Sequence, residues 1–155
     1  MNKKLLKLFL VILFLSSIIF FNCSENVIDN SNNQNTGTLL YERNGLVDSI
    51  VGTCSTFLIR NIFIDTLNLE LYNEIRIEFD AFTDGDLSSL SVYYIQDSTI
   101  NLFELNGLEI SNTQLVIIPS PNLLKDYYLR LKLYSSFCTG QLFVLSVRDL
   151  KIYGN

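Results

Sequence analysis

Two segments of this chain place charged and aromatic side chains at alternate positions. Residues 72–82 read YNEIRIEFDAF and residues 127–134 read YYLRLKLY, so apolar and polar side chains alternate in both. Alternation of this kind predicts half-buried strands, each with one core-facing and one outward side. If the two strands are neighbours, their outward sides form one candidate binding face, made of Arg76, Glu78, Tyr128, Arg130, Lys132 and Tyr134. Rings beside charged donors suit a polar ligand such as a sugar. An ordinary solvated sheet face would carry the same residues.

Three aspartates lie close together around a glycine: Asp80, Asp84 and Asp86. Calcium prefers carboxylate and carbonyl oxygens in a flexible loop, so these side chains are candidate ligands of a structural calcium ion. Their spacing, D-x-x-x-D-G-D, is not that of an EF-hand loop. A glycine-containing hairpin turn with polar caps explains the same three residues.

The residue types do not favour catalysis. The chain contains no histidine, which is the usual base of a nucleophilic triad. Acidic residues between positions 74 and 86 are numerous enough for the carboxylate pair of a glycosidase, but acids along a strand face and a turn are normally solvated. We therefore expect a protein that is not an enzyme and that needs no cofactor for its activity.

The first 22 residues have the layout of an export signal. Lys3, Lys4 and Lys7 precede an apolar run at residues 8–21 that contains no charged residue. This run of 14 residues is shorter than the roughly 20 residues that a helix needs to cross a bilayer. A cleaved helical signal is therefore favoured over an uncleaved membrane anchor.

Cys23 directly follows the apolar run and is followed by polar residues, which resembles a bacterial lipoprotein signal. The three positions before it are Phe20, Phe21 and Asn22, where the usual motif of that family has leucine and two small residues. The resemblance implies a signal peptide at residues 1–22 and an acylated Cys23, carrying chains such as palmitate, as the first mature residue. It also implies attachment to a lipid bilayer of the cell envelope, and the residue after the cysteine, Ser24, favours the outer membrane.

Composition limits the domain organisation and the partners. Residues 24–36 are dominated by Asn and Ser, which predicts a flexible, disordered tether between the lipidated cysteine and a single domain at residues 37–155. Without its signal peptide the chain loses three lysines and keeps 8 basic and 16 acidic residues, a net charge of −8. Nucleic acids and anionic lipid surfaces both require clustered Lys and Arg, so neither is an expected partner.

Two cysteines, Cys54 and Cys138, remain once Cys23 is assigned to the lipid. In an oxidising compartment a pair of cysteines fits one disulfide. Closing a loop of about 84 residues would stabilise the fold by roughly 4 kcal/mol in the chain-entropy model. Two separately buried thiols are the alternative.

Alternation continues from Leu39 to the end of the domain. The strand candidates, besides the two segments above, are residues 55–64, 90–95, 99–105, 114–118 and 141–153. Residues 55–64 are apolar on both sides, which predicts a central strand covered twice or two segments separated by a kink. In residues 141–153 the parity of the apolar positions changes, which predicts a β-bulge near Arg148 and Asp149. Short strands separated by turn signals point to an antiparallel sandwich or barrel.

The strand IRIEFDAF, the DGD turn, the strand YYLRLKLY and the closing VRDLKIYG resemble the jelly-roll β-sandwiches of galactose-binding-like domains and carbohydrate-binding modules. The resemblance covers about residues 50–154 and implies an all-β sandwich that binds a glycan and often carries a structural calcium ion. We therefore expect a non-catalytic envelope lipoprotein that binds a glycan or another envelope protein. The alternative is a structural subunit of a larger envelope assembly.

Overall fold

The computed structural model describes residues 37–54, 56–107, 109–136 and 140–155. The predicted signal peptide, the lipidated Cys23 and the tether lie outside these residues, and so does Cys138. Cys54 is partly buried and packs against the core, but its predicted pairing with Cys138 stays a prediction. No helix within the described ranges is long and apolar enough to cross a membrane.

Eight strands make up the domain. They are β1 (Thr38–Thr53), β2 (Leu58–Asn68), β3 (Glu74–Thr83), β4 (Ser89–Ile95), β5 (Thr99–Asn106), β6 (Ser111–Pro119), β7 (Leu124–Leu133) and β8 (Leu142–Gly154). The seven strand candidates correspond to β2–β8. The alternation that begins at Leu39 marks β1, whose bounds the sequence did not indicate.

The strands form two antiparallel sheets of four. The first sheet has the order β1-β8-β3-β6 and the second has the order β2-β7-β4-β5. The pairs are nested: β4 pairs with β5, β3 with β6, β2 with β7 and β1 with β8. Nested antiparallel pairs distributed over two sheets are the topology of the jelly roll. The predicted all-β jelly-roll sandwich is therefore confirmed, and the barrel alternative is excluded.

The core lies between the two sheets and follows the alternation of the sequence. On β3 the buried residues are Ile75, Ile77, Phe79 and Ala81, and on β7 they include Leu129, Leu131 and Leu133. Each of these side chains is less than 5% exposed. Because apolar side chains occupy every second position, their burial turns the intervening polar residues to the outer face of each sheet.

The predicted bulge on β8 is present. Glu78 of β3 is opposite Lys151, but Asp80 is opposite Arg148, so β8 contains one extra residue at this point. Asp149 has a left-handed backbone (φ 52°), and its Oδ1 accepts a hydrogen bond of 2.7 Å from the backbone N–H of Gly45 on β1. Gly45 also has a positive φ of 75°. The carboxylate of Asp149 therefore links the irregular segments of the adjacent strands β8 and β1.

The central position predicted for residues 55–64 is wrong. These residues contribute to β2, which is an edge strand of the second sheet. Its apolar residues on the second side, Ile59 and Phe63, are each 51% exposed. The alternative of two segments is not met either, because β2 is one continuous strand with a register shift between Phe63 and Asp65.

Candidate functional site

The six residues of the predicted binding face do not lie together. Arg76 and Glu78 are on β3 in the first sheet, whereas β7 lies in the second sheet. The β7 group is Tyr128, Arg130, Lys132 and, directly after the strand, Tyr134. Because the outer faces of the two sheets point away from the core in opposite directions, the condition for one joint face is not met. The β3 pair and the β7 group belong to opposite surfaces.

The β7 group lies on the outer face of the second sheet, where the register determines its neighbours. Tyr128 is opposite Phe63 of β2 on one side and Tyr93 of β4 on the other. Arg130 is likewise opposite Asn61 and Ser91. Side chains directly opposite each other on one face of a sheet are in contact range. The outward side chains of β7 are therefore part of a surface that extends across the four strands of the second sheet.

Three aromatic rings form a row across this surface. The rings of Phe63 and Tyr128 have centroids 5.6 Å apart and are inclined by 62°. The rings of Tyr128 and Tyr93 are stacked, with centroids 5.3 Å apart. Phe63 is 51% exposed and Tyr93 only 4%, so the row rises from a buried ring on β4 to an open ring on the edge strand. Tyr94, next to Tyr93, faces the core instead.

Arg130 is held from two sides. Its guanidinium lies over the ring of Tyr93, 4.2 Å from the centroid, and its Nε donates a hydrogen bond of 2.9 Å to Oδ1 of Asn61. A guanidinium over an aromatic face is attracted by the ring quadrupole. The remaining N–H donors of Arg130 are therefore fixed in position beside the aromatic row.

Lys132 is paired with a carboxylate that the sequence analysis missed. Lys132 Nζ donates to Glu104 Oε1 over 3.0 Å, and the same carboxylate accepts bonds from Ser89 Oγ (2.8 Å) and Asn101 Nδ2 (3.0 Å). The hydrogen bond from Lys132 lowers the pKa of Glu104, Ser89 lowers it further, and partial burial opposes both. Glu104 is therefore an ionised acceptor, and Lys132 is no free cation.

The hydroxyl group of Ser91 is buried between Arg130 and Glu104. Ser91 is opposite Arg130 on one side and Glu104 on the other. It is 1% exposed, and among the described residues its Oγ has no hydrogen-bond partner. A buried hydroxyl without a partner carries a free-energy cost, because its lost hydration is not replaced.

A hollow of about 280 Å³ opens beside Tyr128, the middle ring of the aromatic row. Its walls are Thr66, Ile95, Leu124, Lys125, Asp126 and Tyr128. Thr66 Oγ1 donates to Asp126 Oδ1 over 2.6 Å, which holds one carboxylate oxygen in place. The volume is close to the lower limit of about 300 Å³ for small-molecule sites. This hollow combines a ring edge, a carboxylate, an ammonium group and a hydroxyl, which are groups that bind a hydroxyl-rich ligand.

The outer face of the first sheet has two charge pairs of its own. Arg76 Nε lies 3.2 Å from Glu78 Oε1, and its guanidinium lies 4.3 Å from the ring centroid of Tyr153. Lys151 Nζ lies 3.0 Å from Glu42 Oε1, which lowers the pKa of Glu42 and raises that of Lys151. Arg76 and Glu78 are therefore parts of a network within the sheet, not of the surface around Tyr128.

The three candidate calcium ligands are separated. Asp80 accepts a bond from Thr113 Oγ1 (2.7 Å), and Asp84 accepts one from the backbone N–H of Val144 (2.6 Å). Asp86 accepts bonds from the backbone and the hydroxyl of Ser136, which lower its pKa. Within the described ranges no group of three Asp, Glu or Cys side chains is arranged to hold a metal ion. Asp84 and Asp86 instead hold the β3–β4 connection, which joins the two sheets and is not a hairpin.

No family model matches this sequence, and no curated protein matches it. Among solved structures, the chain is similar to a CBM4 structure, with 8% identity, a TM-score of 0.45 and coverage of 78% of this chain and 96% of the other. It is also similar to a family 29 carbohydrate-binding module from Piromyces equi (11% identity, TM-score 0.38, coverage 77% and 91%). A third similar structure is the C-terminal CBM6 of LamC, a marine laminarinase from Zobellia galactanivorans (12% identity, TM-score 0.36, coverage 74% and 92%).

Proposed function

We propose that this chain is a non-catalytic lipoprotein of the cell envelope that binds a neutral glycan on the outer face of its second sheet. The observation that supports this proposal most directly is the row of Phe63, Tyr128 and Tyr93 with the polar hollow beside its middle ring. Aromatic rings provide flat apolar surfaces, and a few fixed polar groups beside them orient a ligand.

The charges of this face favour a neutral ligand over an ionic one. Lys132 is paired with Glu104, and Arg130 is held by Asn61 and Tyr93. Groups that are already positioned by the protein cost little further ordering when they bind a hydroxyl. The mature chain also carries a net charge of −8, which opposes an anionic polysaccharide.

The carboxylates of this face support binding over hydrolysis. A glycosidase needs one carboxyl group with a raised pKa to act as general acid. The pKa of Glu104 is lowered, because Lys132 donates a hydrogen bond to it. Asp126 is hydrogen-bonded to Thr66. Both carboxylates are therefore suited to accept hydrogen bonds from ligand hydroxyls.

The envelope location rests on the sequence. The apolar run at residues 8–21 followed by Cys23 predicts export and acylation. Two or more acyl chains would hold the protein stably on a bilayer, since each buried methylene contributes about 0.8 kcal/mol and a single chain is marginal. In this proposal the outer membrane carries the anchor and the β-sandwich carries the ligand.

Glycan binding can be tested by affinity electrophoresis and glycan-array screening of the full chain in detergent. Replacing Phe63 by alanine removes the exposed ring of the row, and we expect binding to weaken about tenfold, since a ring contact contributes ~1.5 kcal/mol. Phe82→Ala is the matched control, because Phe82 is a similarly exposed ring (54%) on the outer face of the first sheet. The affinity of the Phe82→Ala variant for the glycan should stay at the wild-type level.

Two outcomes would contradict this proposal. If no neutral glycan is retained, the binding function itself is wrong. If Phe82→Ala weakens binding and Phe63→Ala does not, the ligand binds to the opposite sheet. In that case the hollow of about 290 Å³ lined by Asp80, Phe82, Asn112, Thr113 and Arg148 would be the site.

The alternative function is that of a structural subunit in an envelope assembly. The observation in its favour is a set of apolar side chains on the outer face of the first sheet, each about half exposed or more: Leu39, Leu46, Val51, Leu115 and Ile117. Apolar residues that remain open to water on one face favour contact with another protein. This function would use the opposite face and needs no glycan.

A further inference from the structure

A sandwich of two open sheets has four edge strands, and three of them here are protected against pairing with another chain. β1 carries Glu42, Arg43 and Asp48 and has three register shifts. β2 carries Arg60 and Asp65 and has one shift. Charged side chains and bulges are the usual devices that prevent an edge from accepting a further strand.

The edge strand β5 is also protected. It contains Glu104, and its pairing with β4 is shifted between Val92 and Tyr93. The charge and the shift both disfavour a regular ladder on its open side.

The fourth edge strand, β6, has no charge and no register shift, and its irregular positions lie near its ends, where Asn112 has a left-handed backbone (φ 57°) and Pro119 is the last residue. Its sequence, SNTQLVIIP, contains no charged residue, and its nine residues pair with β3 in a continuous register without a shift. Leu115 and Ile117 are 58% and 53% exposed on its outer face. Within the described part of the chain no strand pairs with its other side. The uncharged stretch at residues 113–118, with its exposed Leu115 and Ile117, is a template for β-strand addition.

We propose that β6 pairs with β6 of a second copy of this chain, so that the two first sheets join into one antiparallel sheet of eight strands. Leu115 is the middle residue of the nine, so a two-fold axis at Leu115 overlaps the complete strand. Thr113 then lies opposite Ile117 of the second copy, and Leu115 lies opposite its own equivalent. Odd-numbered residues pair with odd-numbered residues in this register, so the outward side chains of both copies lie on the same face of the joined sheet.

The sequence of β6 favours its own copy over a different partner. An isologous contact requires that one patch be complementary to itself. With the axis at Leu115, the uncharged strand meets itself without any pair of like charges, and two leucines meet at the centre. Lipid anchoring would confine both copies to one surface and raise their effective concentration. The pairing uses the first sheet and does not depend on the glycan function proposed for the second.

The register can be tested by cysteine cross-linking of the full chain in membranes. Opposite residues of an antiparallel pair have Cα atoms about 4.5–5.5 Å apart, within the range for a disulfide. Leu115→Cys should therefore oxidise to a covalent dimer. Thr113→Cys is the matched control, because the two copies of residue 113 would be offset by four residues, roughly 13 Å along the strand. It should cross-link no more than the wild type.

A second variant measures the association without a cross-link. Leu115→Lys places two ammonium groups opposite each other at the axis, and we expect the sedimentation of the detergent-solubilised chain to shift from dimer to monomer. Val51→Lys is the control, since Val51 is equally exposed (54%) on β1 of the same sheet, and it should remain dimeric. A monomeric wild type, equal cross-linking at positions 113 and 115, or a cross-link only to a different protein would each overturn the proposal.

Discussion

Glu104 shows how a single side chain organises the outer face of the second sheet. It accepts bonds from β7 through Lys132, from β4 through Ser89 and from its own strand through Asn101. Three strands are therefore joined by one carboxylate, which has to be ionised to accept all three bonds.

This arrangement makes the stability of the domain depend on pH in a defined direction. The pKa of Glu104 is lowered in the folded state, so its ionisation stabilises the fold above the unfolded-state pKa of about 4.3, and this contribution is lost as the pH falls through the folded-state value. We expect Glu104→Gln to reduce the free energy of unfolding at pH 7, and this reduction to shrink as the pH falls through the lowered pKa of Glu104. Denaturant unfolding across this range measures the difference.

The control for this prediction is Glu70→Gln, since Glu70 is exposed in the loop between β2 and β3. Its unfolding curves should run parallel to those of the wild type over the whole range. If the curves of Glu104→Gln also run parallel to the wild type, the network around Glu104 does not contribute to stability.

The sequence predicted which residues of β7 point outward but not what surrounds them. Alternation alone places Tyr128, Arg130 and Lys132 on one side of the strand. The neighbours that make this side a site, such as Phe63 and Glu104, depend on the register between strands that are distant in the chain. The pattern within one strand predicts which side chains share a face, but it does not predict which residues of another strand lie opposite them.

The bulge of β8 is the element that the sequence predicted best. Val147 and Leu150 are both fully buried although their parity differs, and only an extra residue between them permits this. The partner of the bulge was not predictable, because Gly45 lies 104 residues away. By contrast, the two-sided apolarity of β2 predicted a central strand where an edge strand is found, since exposed apolar residues on an edge strand look the same in sequence as buried ones.

The bulge provides a test of how the irregular parts of β1 and β8 are held. Asp149→Ala removes the bond to Gly45 and places alanine in a left-handed conformation, so we expect a loss of about 2 kcal/mol in the free energy of unfolding. Asp149→Asn keeps a side-chain oxygen and a residue that tolerates this conformation, and its loss should be much smaller. Equal losses in both variants, measured by denaturant unfolding, would show that the carboxylate charge and not the backbone conformation matters.

The jelly-roll topology explains why the predicted binding face is divided between two surfaces. Successive strands alternate between the two sheets except at β4 and β5, which both lie in the second sheet, and this break places β3 and β7 in different sheets although their patterns are nearly identical. The sequence predicted the sandwich from its strands and turns. It did not indicate the bounds of β1. The position of β3 and of β7 in the order of strands was therefore unknown, and this position decides to which sheet each strand belongs.

The proposed anchoring of the whole molecule is tested at Cys23. Cys23→Ser removes the acylated thiol, and we expect the protein to move from the membrane fraction to the soluble fraction when cells are fractionated. Glu70→Gln is the control, because Glu70 is exposed in the loop between β2 and β3, within the domain and away from the proposed anchor. A Cys23→Ser protein that stays with the membranes would show that lipid is not the anchor.

The position of β8 has a consequence for biogenesis. β8 is the last strand along the chain, yet it lies between β1 and β3 in the interior of the first sheet. Until residues 142–154 have been delivered, β1 has no partner and the sheet cannot close, and such distant pairings form slowly. A nascent chain of this topology therefore completes its first sheet only after β8 has been synthesised.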